Sequence, residues 1–169
     1  MGVTVEAQDR AIEPAAGAAF EKFVATLPLV TYRTGDTVLG AGLNTGRLLI
    51  LKSGAVVILK DSVEIARVDQ IGAVLGELSA LLAQPHIADV RALADSQFHV
   101  ADARLLEKDR MALLHVAKIL ARRLIAADTG IVELKKQLQA GQSPSILRRI
   151  LEKVEISLKG GGGGVAPGF

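Results

Sequence analysis

The chain has 169 residues, of which half are apolar and only 3% are aromatic. This length fits one domain with an appended segment, and the composition is that of a globular protein. The 20 basic and 18 acidic residues give a net charge of +2, which does not indicate a nucleic acid as partner. Because the chain has no cysteine, disulfides, thiolate catalysis and cysteine-ligated zinc sites are excluded.

Catalytic, metal-binding and membrane-spanning patterns are not found in the sequence. The three histidines, His86, His99 and His115, lack the spacing of metal ligands. There is no P-loop, no dinucleotide fingerprint after a strand and no serine–histidine–acid set, so we expect a protein that is not an enzyme and has no metal or cofactor. No signal peptide pattern or run of about 18 apolar residues is present, so a bacterial-type cytoplasmic protein is the expectation.

The first part of the chain predicts a loose terminus and then a short helix. Residues 1–14 are largely polar, which is typical of a flexible segment. Residues 15–27 place Phe20, Phe23 and Val24 on one apolar face, and Pro28 is expected to end the helix.

The periodicity then changes to short apolar runs separated by turn residues. The runs cover residues 48–51, 56–59, 63–68, 90–94 and 97–101, with a helical piece over residues 75–82. Turns are expected around Gly35 and Gly54, and a glycine-rich loop over residues 40–46. Many short strands at such spacing predict a mainly β roll or sandwich over residues 15–109.

Residues 110–140 predict one long helix with a single apolar seam. Its apolar residues alternate steps of four and three, as in a coiled coil. The seam consists of Leu113, Ala117, Leu120, Leu124, Ala127, Ile131, Leu134 and Leu138. We expect its first half to pack partly on the roll and its second half to pair with another copy, giving a homodimer.

A second amphipathic helix and a glycine-rich tail follow. Ser143 and Pro144 suit the N-cap and first position of a helix over residues 143–158. Residues 159–169 contain five consecutive glycines, which are typical of a flexible linker. Either segment is a candidate contact for a protein partner.

The stretch from Ile71 to Ala92 carries the main functional signal. It predicts a glycine turn, a short helix that starts near Glu77, a loop containing Pro85 and a strand. A helix start that faces a concave roll presents free N–H groups and a positive dipole end to an anion. The sequence therefore indicates a candidate anion site, with Glu77 as an acceptor for ligand hydroxyls.

This stretch resembles the phosphate-binding cassette of cyclic-nucleotide-binding domains. The matching residues are Gly76-Glu77-Leu78-Ser79-Ala80-Leu81 and, after Pro85, Ala88, Val90 and Ala92. Residues 32–38 resemble the first strand of that family, residues 49–56 a hairpin, and residues 121–124 the long C-helix of catabolite-activator-type regulators. The resemblance implies a jelly roll (a double-stranded β-helix) with an N-terminal helix, a long dimerisation helix and a cyclic nucleotide as ligand. The ligand-binding residues that it implies are Gly76, Glu77, Leu78, Ser79, His86, Ile87, Ala88 and Asp89.

Five positions of the implied ligand site depart from the family pattern. The resemblance places His86 at a phosphate-pairing arginine, Ile87 at a phosphate-donating Ser or Thr, and Asp89 at a small hydroxyl residue. A Thr-Ser pair that contacts adenine aligns with Ala127-Asp128. An imidazole is a poor substitute for a bidentate guanidinium, so we expect weak or absent binding of cyclic AMP and cyclic GMP. Arg91 either replaces the lost charge or pairs with Asp89.

Three functions are compatible with these residues. The first is a regulatory module in which a ligand in the roll shifts the C-helix of a dimer. The second is a scaffold protein that keeps the fold without a ligand. The departures at His86, Ile87 and Asp89 favour the scaffold, whereas Gly76-Glu77 favours the first function. The third is a relative of transcription regulators, but residues 143–169 are too few for the helix-turn-helix domain that such regulators carry after the C-helix, so DNA binding is not expected.

Overall fold

The computed structural model describes residues 17–139 and Arg148. Residues 17–25 form helix α1, and the other helices are α2 (Glu77–Leu82), α3 (Ala103–Lys108) and α4 (Arg110–Gln139). The strands are β1 (Leu29–Tyr32), β2 (Thr37–Leu39), β3 (Arg47–Ser53), β4 (Val56–Lys60), β5 (Val63–Val68), β6 (Val74–Leu75), β7 (Asp89–Ala92) and β8 (Ser96–Asp102).

The strands form two antiparallel sheets of four. One sheet has the order β1-β8-β3-β6 and the other β2-β7-β4-β5. In the first, Leu49 of β3 lies opposite Val100 of β8, and in the second, Val57 of β4 lies opposite Arg91 of β7. The predicted mainly β roll, flanked by an N-terminal and a long C-terminal helix, is confirmed.

Strand β3 is buried on both faces because each face packs against a different layer. Leu48 and Ile50 lie in a core shared with α1, α3 and α4. Leu49 and Leu51 lie in the core between the two sheets, against Phe98. Successive side chains of a strand point to opposite faces, so a strand covered on both sides is a continuous apolar run, as the sequence predicted for residues 48–51.

The first strand differs from the sequence-based expectation. The resemblance placed residues 32–38 in one strand, whereas β1 ends at Tyr32 and β2 begins at Thr37 in the other sheet. Between them the carboxylate of Asp36 accepts a hydrogen bond from the backbone N–H of Arg33, and Gly35 has a φ of +90°. This turn breaks the strand so that the chain passes from one sheet to the other.

Helix α4 packs on the roll through a face beside the predicted seam. Ala112, Val116 and Ile119 are buried in the core that contains β3. The seam residues Leu113 and Leu120 are only partly buried against the same core, which agrees with partial packing of the first half. Pairing of the second half with another copy stays a prediction.

Some predicted segments lie outside the described residues. These are the terminus over residues 1–14, the tail over residues 159–169 and the helix over residues 143–158 apart from Arg148. In the part of the chain that the structure describes, no helix is long and apolar enough to cross a membrane.

Candidate functional site

Residues of β4, β5, α2, the 86–88 loop and α4 line a cavity of about 330 Å³. Six of the eight residues predicted to bind a ligand are among those that line it. They are Gly76, Glu77, Leu78, His86, Ile87 and Ala88. Ser79 and Asp89 are not among the described residues that form its wall.

Gly76 connects β6 to α2 in a conformation that suits only glycine. Its φ of +79° lies in the left-handed region, and a Cβ atom would come 2.5 Å from the carbonyl oxygen of Arg47. The close approach of these two backbone segments directs the following residue, Glu77, toward the cavity wall. Backbone geometry, as well as the family resemblance, therefore explains why glycine occupies this position of the cassette.

The carboxylate of Glu77 is held by a residue of α4. Nη1 of Arg123 donates to Oε1 of Glu77 at 2.5 Å, and Nη2 donates to the carbonyl oxygen of Val74 at 2.8 Å. The two charged side chains are 12% and 18% exposed, so the pair is largely removed from water. The acceptor expected to face a ligand is thus already bonded to the long helix.

Sequence reasoning did not identify Arg123 as a cavity residue, although a signal for it exists. Ala112, Val116 and Ile119 continue by a step of four to Arg123, so the arginine occupies the next position of the face that packs on the roll. A cation in line with three buried apolar residues indicates a buried partner. That partner is Glu77.

His86 is buried and engaged by the glycine-rich loop. Its Nε2 lies 2.8 Å from Oγ1 of Thr45, and its backbone bonds to Leu43 and Gly42. Burial lowers the pKa of His86 more than the Glu77 carboxylate raises it. The imidazole is therefore neutral at neutral pH and does not supply the positive charge that a cyclic phosphate needs.

The residues after His86 supply no side-chain donor to the cavity. Ile87 is apolar and 62% exposed, and Ala88 has only a methyl group. Binding a phosphate requires several charged or N–H donors. The geometry of residues 86–88 thus supports the expectation of weak nucleotide binding.

Ser79 has a structural role in this fold. Its hydroxyl is buried and donates to Oδ1 of Asn44 at 3.0 Å, while Nδ2 of Asn44 donates to the carbonyl oxygen of Ala83 at 2.8 Å. Asn44 therefore ties the glycine-rich loop to the middle of α2 and to its C-cap residue, Ala83. Ser79 makes these contacts and is not among the described residues that line the cavity.

The carboxylate of Asp89 turns to the glycine-rich loop. It accepts a hydrogen bond from the backbone N–H of Ala41 at 2.7 Å, and Nη2 of Arg91 lies 4.0 Å away. Of the two roles open to Arg91, the geometry supports pairing with Asp89, because Arg91 is not among the described residues of the cavity wall.

Lys60 is a second cation of the cavity that sequence reasoning did not identify. It ends β4, is exposed and lines the cavity. Among residues 17–139 its ammonium group forms no salt bridge. The only pattern that could have indicated it is its position, two residues after Ile58 on the same strand face.

The aligned adenine-contact positions lie elsewhere on α4. Ala127 is partly buried and Asp128 is exposed, and neither lines the cavity of this chain. Within the described residues, no cluster of three or more histidine, aspartate or glutamate side chains is arranged to hold a metal ion.

Comparison with known proteins identifies a family for part of the chain. Residues 29–108 match the family described as "Cyclic nucleotide-binding domain". No curated protein sequence matches the chain significantly.

Three solved structures illustrate the fold that this chain shares with known proteins. The Thermus thermophilus catabolite activator protein is 20% identical, with a TM-score of 0.63 over 87% of this chain and 84% of that one. The N-terminal domain of a transcriptional regulator from Streptomyces coelicolor A3(2) is 22% identical, with a TM-score of 0.53 over 66% and 86%. The regulatory domain of Toxoplasma gondii PKA, solved with cAMP, is 19% identical, with a TM-score of 0.54 over 63% and 44%. At these identities the likeness shows the fold.

Proposed function

Because residues 29–108 belong to the cyclic nucleotide-binding domain family, we propose that this chain is a non-enzymatic regulatory module in which the occupant of the cavity controls helix α4. The observation that carries the proposal is the ion pair between Glu77 and Arg123. Glu77 lines the cavity and Arg123 belongs to α4, so a ligand that competes for Glu77 changes how α4 is held.

Cyclic nucleotides are poor occupants of this cavity. The catabolite activator protein and the cAMP-bound PKA domain share the fold, but the cassette here has a neutral His86 and the apolar Ile87. Losing one charged partner of a buried anion costs about 2–5 kcal/mol. This corresponds to binding about 30-fold to several thousand-fold weaker than that of an intact cassette.

Helix α4 is the proposed output of the module. Its apolar side chains on the seam side, among them Leu124, Ile131 and Leu138, are each more than 60% exposed. A stripe of this kind on a helix is stabilised by a second helix. We place a second copy of the chain there, so that two roll domains report through one pair of α4 helices.

A scaffold without a ligand is the second candidate. The observation that favours it is the same ion pair, because Arg123 already satisfies the carboxylate that would bind a ligand. In that function α4 and the residues after it bind protein partners, and the cavity has no regulatory role.

Calorimetric titration of cyclic AMP and cyclic GMP tests the proposed loss of nucleotide binding. The proteins to compare are the wild type, the double variant His86→Arg/Ile87→Ser and the matched control His86→Met/Ile87→Ala, which alters the same positions without adding phosphate donors. We expect the Arg/Ser variant to bind at least about 30-fold more tightly than the wild type and the control. Micromolar binding by the wild type would contradict the proposed loss of nucleotide binding.

A further inference from the structure

The cavity lined by Glu77 and Arg123 is apolar over most of its wall. Ten of the fifteen described residues that form it are aliphatic, among them Leu39, Ile58 and Val68. Its volume of about 330 Å³ falls in the range of cavities that bind small molecules. Such a wall stabilises the burial of a ligand's apolar surface and offers little to polar atoms.

The polar groups of the wall are mostly satisfied within the protein. The Glu77 carboxylate accepts from Arg123, and Nε2 of His86 lies beside Oγ1 of Thr45. A ligand rich in hydroxyl, amide or ring nitrogen atoms would leave many of those atoms without partners, which is unfavourable in a buried site. The occupant with the fewest unpaired groups is therefore mainly apolar.

The charges of the wall nevertheless favour one negative group on the ligand. Lys60 and Arg123 are positive and Glu77 is negative, so the described wall carries one positive charge in excess when His86 is neutral. Glu77 is paired with Arg123, and Lys60 forms no salt bridge among residues 17–139. In addition, Nε of Arg123 is buried and has no acceptor within the described residues.

We propose that the cavity binds a small amphipathic carboxylic acid, whose apolar body packs against the aliphatic wall and whose carboxylate pairs with Lys60. This inference rests on the proposed function, because it takes the cavity to be a ligand site. Such an acid differs from a cyclic nucleotide in having one short anionic group and no other polar atoms. The carboxylate lies at the exposed lysine, so the charge is not fully removed from water.

Calorimetry with straight-chain acids of increasing length, at concentrations below micelle formation, tests the proposal. The probes are hexanoate, octanoate and decanoate, with decan-1-ol as the neutral match of the longest acid. Burial of two additional methylene groups is expected to strengthen binding about tenfold. Decanoate is expected to bind about two- to fivefold more tightly than decan-1-ol, because the ion pair with Lys60 is exposed.

Two lysine variants locate the anionic group. Lys60→Met keeps an unbranched side chain without the charge, so decanoate binding should weaken about two- to fivefold while decan-1-ol binding stays unchanged. Lys52→Met is the matched control: Lys52 is also an exposed strand residue but lines a different cavity, beside α1. An effect at Lys52 instead of Lys60 would overturn the proposal, as would equal effects on acid and alcohol.

A third variant separates binding in the cavity from adsorption to the surface. Ala88 is partly buried and lines the cavity, so Ala88→Phe should occupy the space and reduce decanoate affinity at least tenfold while circular dichroism stays that of the wild type. Decanoate affinity that is unchanged in this variant would overturn the proposal.

The result also separates this inference from the proposed function. If decanoate does not bind the wild type while His86→Arg/Ile87→Ser binds cyclic AMP, the ligand class is wrong and the regulatory module stands. If the wild type itself binds cyclic AMP at micromolar concentration, the proposed loss of nucleotide binding and the ligand class are wrong, but a regulatory module is not. If decanoate does not bind the wild type and cyclic AMP does not bind His86→Arg/Ile87→Ser, the cavity is not a ligand site and both the ligand class and the regulatory module are wrong.

Discussion

Arg123 of helix α4 bonds to Glu77 at the start of α2, 46 positions earlier in the chain. The same guanidinium bonds to the carbonyl oxygen of Val74, so one side chain joins α4 to residues on either side of Gly76. This contact links the wall of the cavity to the helix that we propose as the output of the module.

Arg123→Met is expected to destabilise the protein by about 3–5 kcal/mol, because it leaves the Glu77 carboxylate unpaired in a largely buried position. The partial exposure of both side chains places the expected value toward the lower end. Chemical denaturation measures the change. Hydrogen exchange should show that α4 loses protection around Ile119 and Arg123.

The double variant Glu77→Leu/Arg123→Met is expected to be more stable than Arg123→Met alone, because it removes the unpaired charge as well. Lys136→Met is the control for loss of a cation at an exposed position of the same helix. If Lys136→Met and Arg123→Met were equally destabilising, the Glu77–Arg123 contact would have no special role in stability.

Gly76→Ala is expected to destabilise the roll by about 2 kcal/mol or more, because it combines a left-handed backbone with a clash. Gly72→Ala provides the comparison within the same segment. Gly72 has a similar φ of +86°, but a Cβ atom there meets nothing within 4 Å. Thermal unfolding of both variants measures the difference, and equal losses would mean that the approach of Arg47 to Gly76 is not tight in solution.

The stability of the protein should decrease as the pH falls from about 7.5 to 5.5. The His115 ring stacks on Phe20 at a centroid distance of 4.2 Å. Burial and then the charges of Arg122 and Lys118 lower its pKa, against a smaller opposing effect of Glu21. In the unfolded chain His115 has its ordinary pKa of about 6.5, so below that pH the unfolded state binds more protons and is favoured.

Melting temperatures across this range test the direction. His115→Phe keeps the ring stack and should make the slope with pH smaller, and His86→Gln should do the same, because the pKa of His86 is also lowered by burial. The lowered pKa of Asp95, caused by hydrogen bonds from Thr34, acts only at lower pH, near and below its ordinary value. A slope unchanged in both variants would contradict the assignment.

The proposed pairing of α4 predicts a dimer that polar substitution of the seam disrupts. Leu124→Glu/Ile131→Glu should convert it to a monomer with unchanged helix content, because glutamate is a good helix former but is unfavourable in an apolar interface. Sedimentation velocity measures the mass. Thr129→Glu adds a charge on the opposite side of the helix and should leave the dimer intact, whereas a monomeric wild type would rule out the pairing.

The sequence predicted the elements whose patterns are local. Residues 48–51 form a fully buried strand, as their unbroken apolar run indicated, because β3 packs on both faces. The Gly76-Glu77 turn into a short helix was also predicted, since a left-handed glycine marks such a turn in any surroundings. The heptad steps predicted the long helix that the structure describes over Arg110–Gln139.

The first strand was predicted less well. The family resemblance placed residues 32–38 in one strand, although the residue pattern itself predicted a turn around Gly35. The passage from one sheet to the other depends on the turn at Gly35 and on which partner each half finds, β8 for Leu29–Tyr32 and β7 for Thr37–Leu39. Pairing partners lie far away in sequence, so a short window does not contain this information.

The candidate site depended on contacts between distant segments. The order of residues in the sequence located the cassette, but it did not show whether each side chain faces the cavity. Asp89 accepts a hydrogen bond from Ala41, and Ser79 bonds to Asn44. Both contacts are made with the glycine-rich loop, whose residues lie about 35 to 48 positions away in the chain.

Turns, strand periods and helix seams could be inferred from neighbouring residues, because backbone geometry repeats every two or 3.6 residues. Neighbouring residues do not reveal that Arg123 pairs with Glu77 or that Lys60 lies on the cavity wall. The first depends on how α4 is rotated, and the second on where β4 lies in its sheet. That rotation is set by the burial of Ala112, Val116 and Ile119 against the roll. The charge of the cavity thus follows from packing, which acts between segments that the sequence keeps far apart.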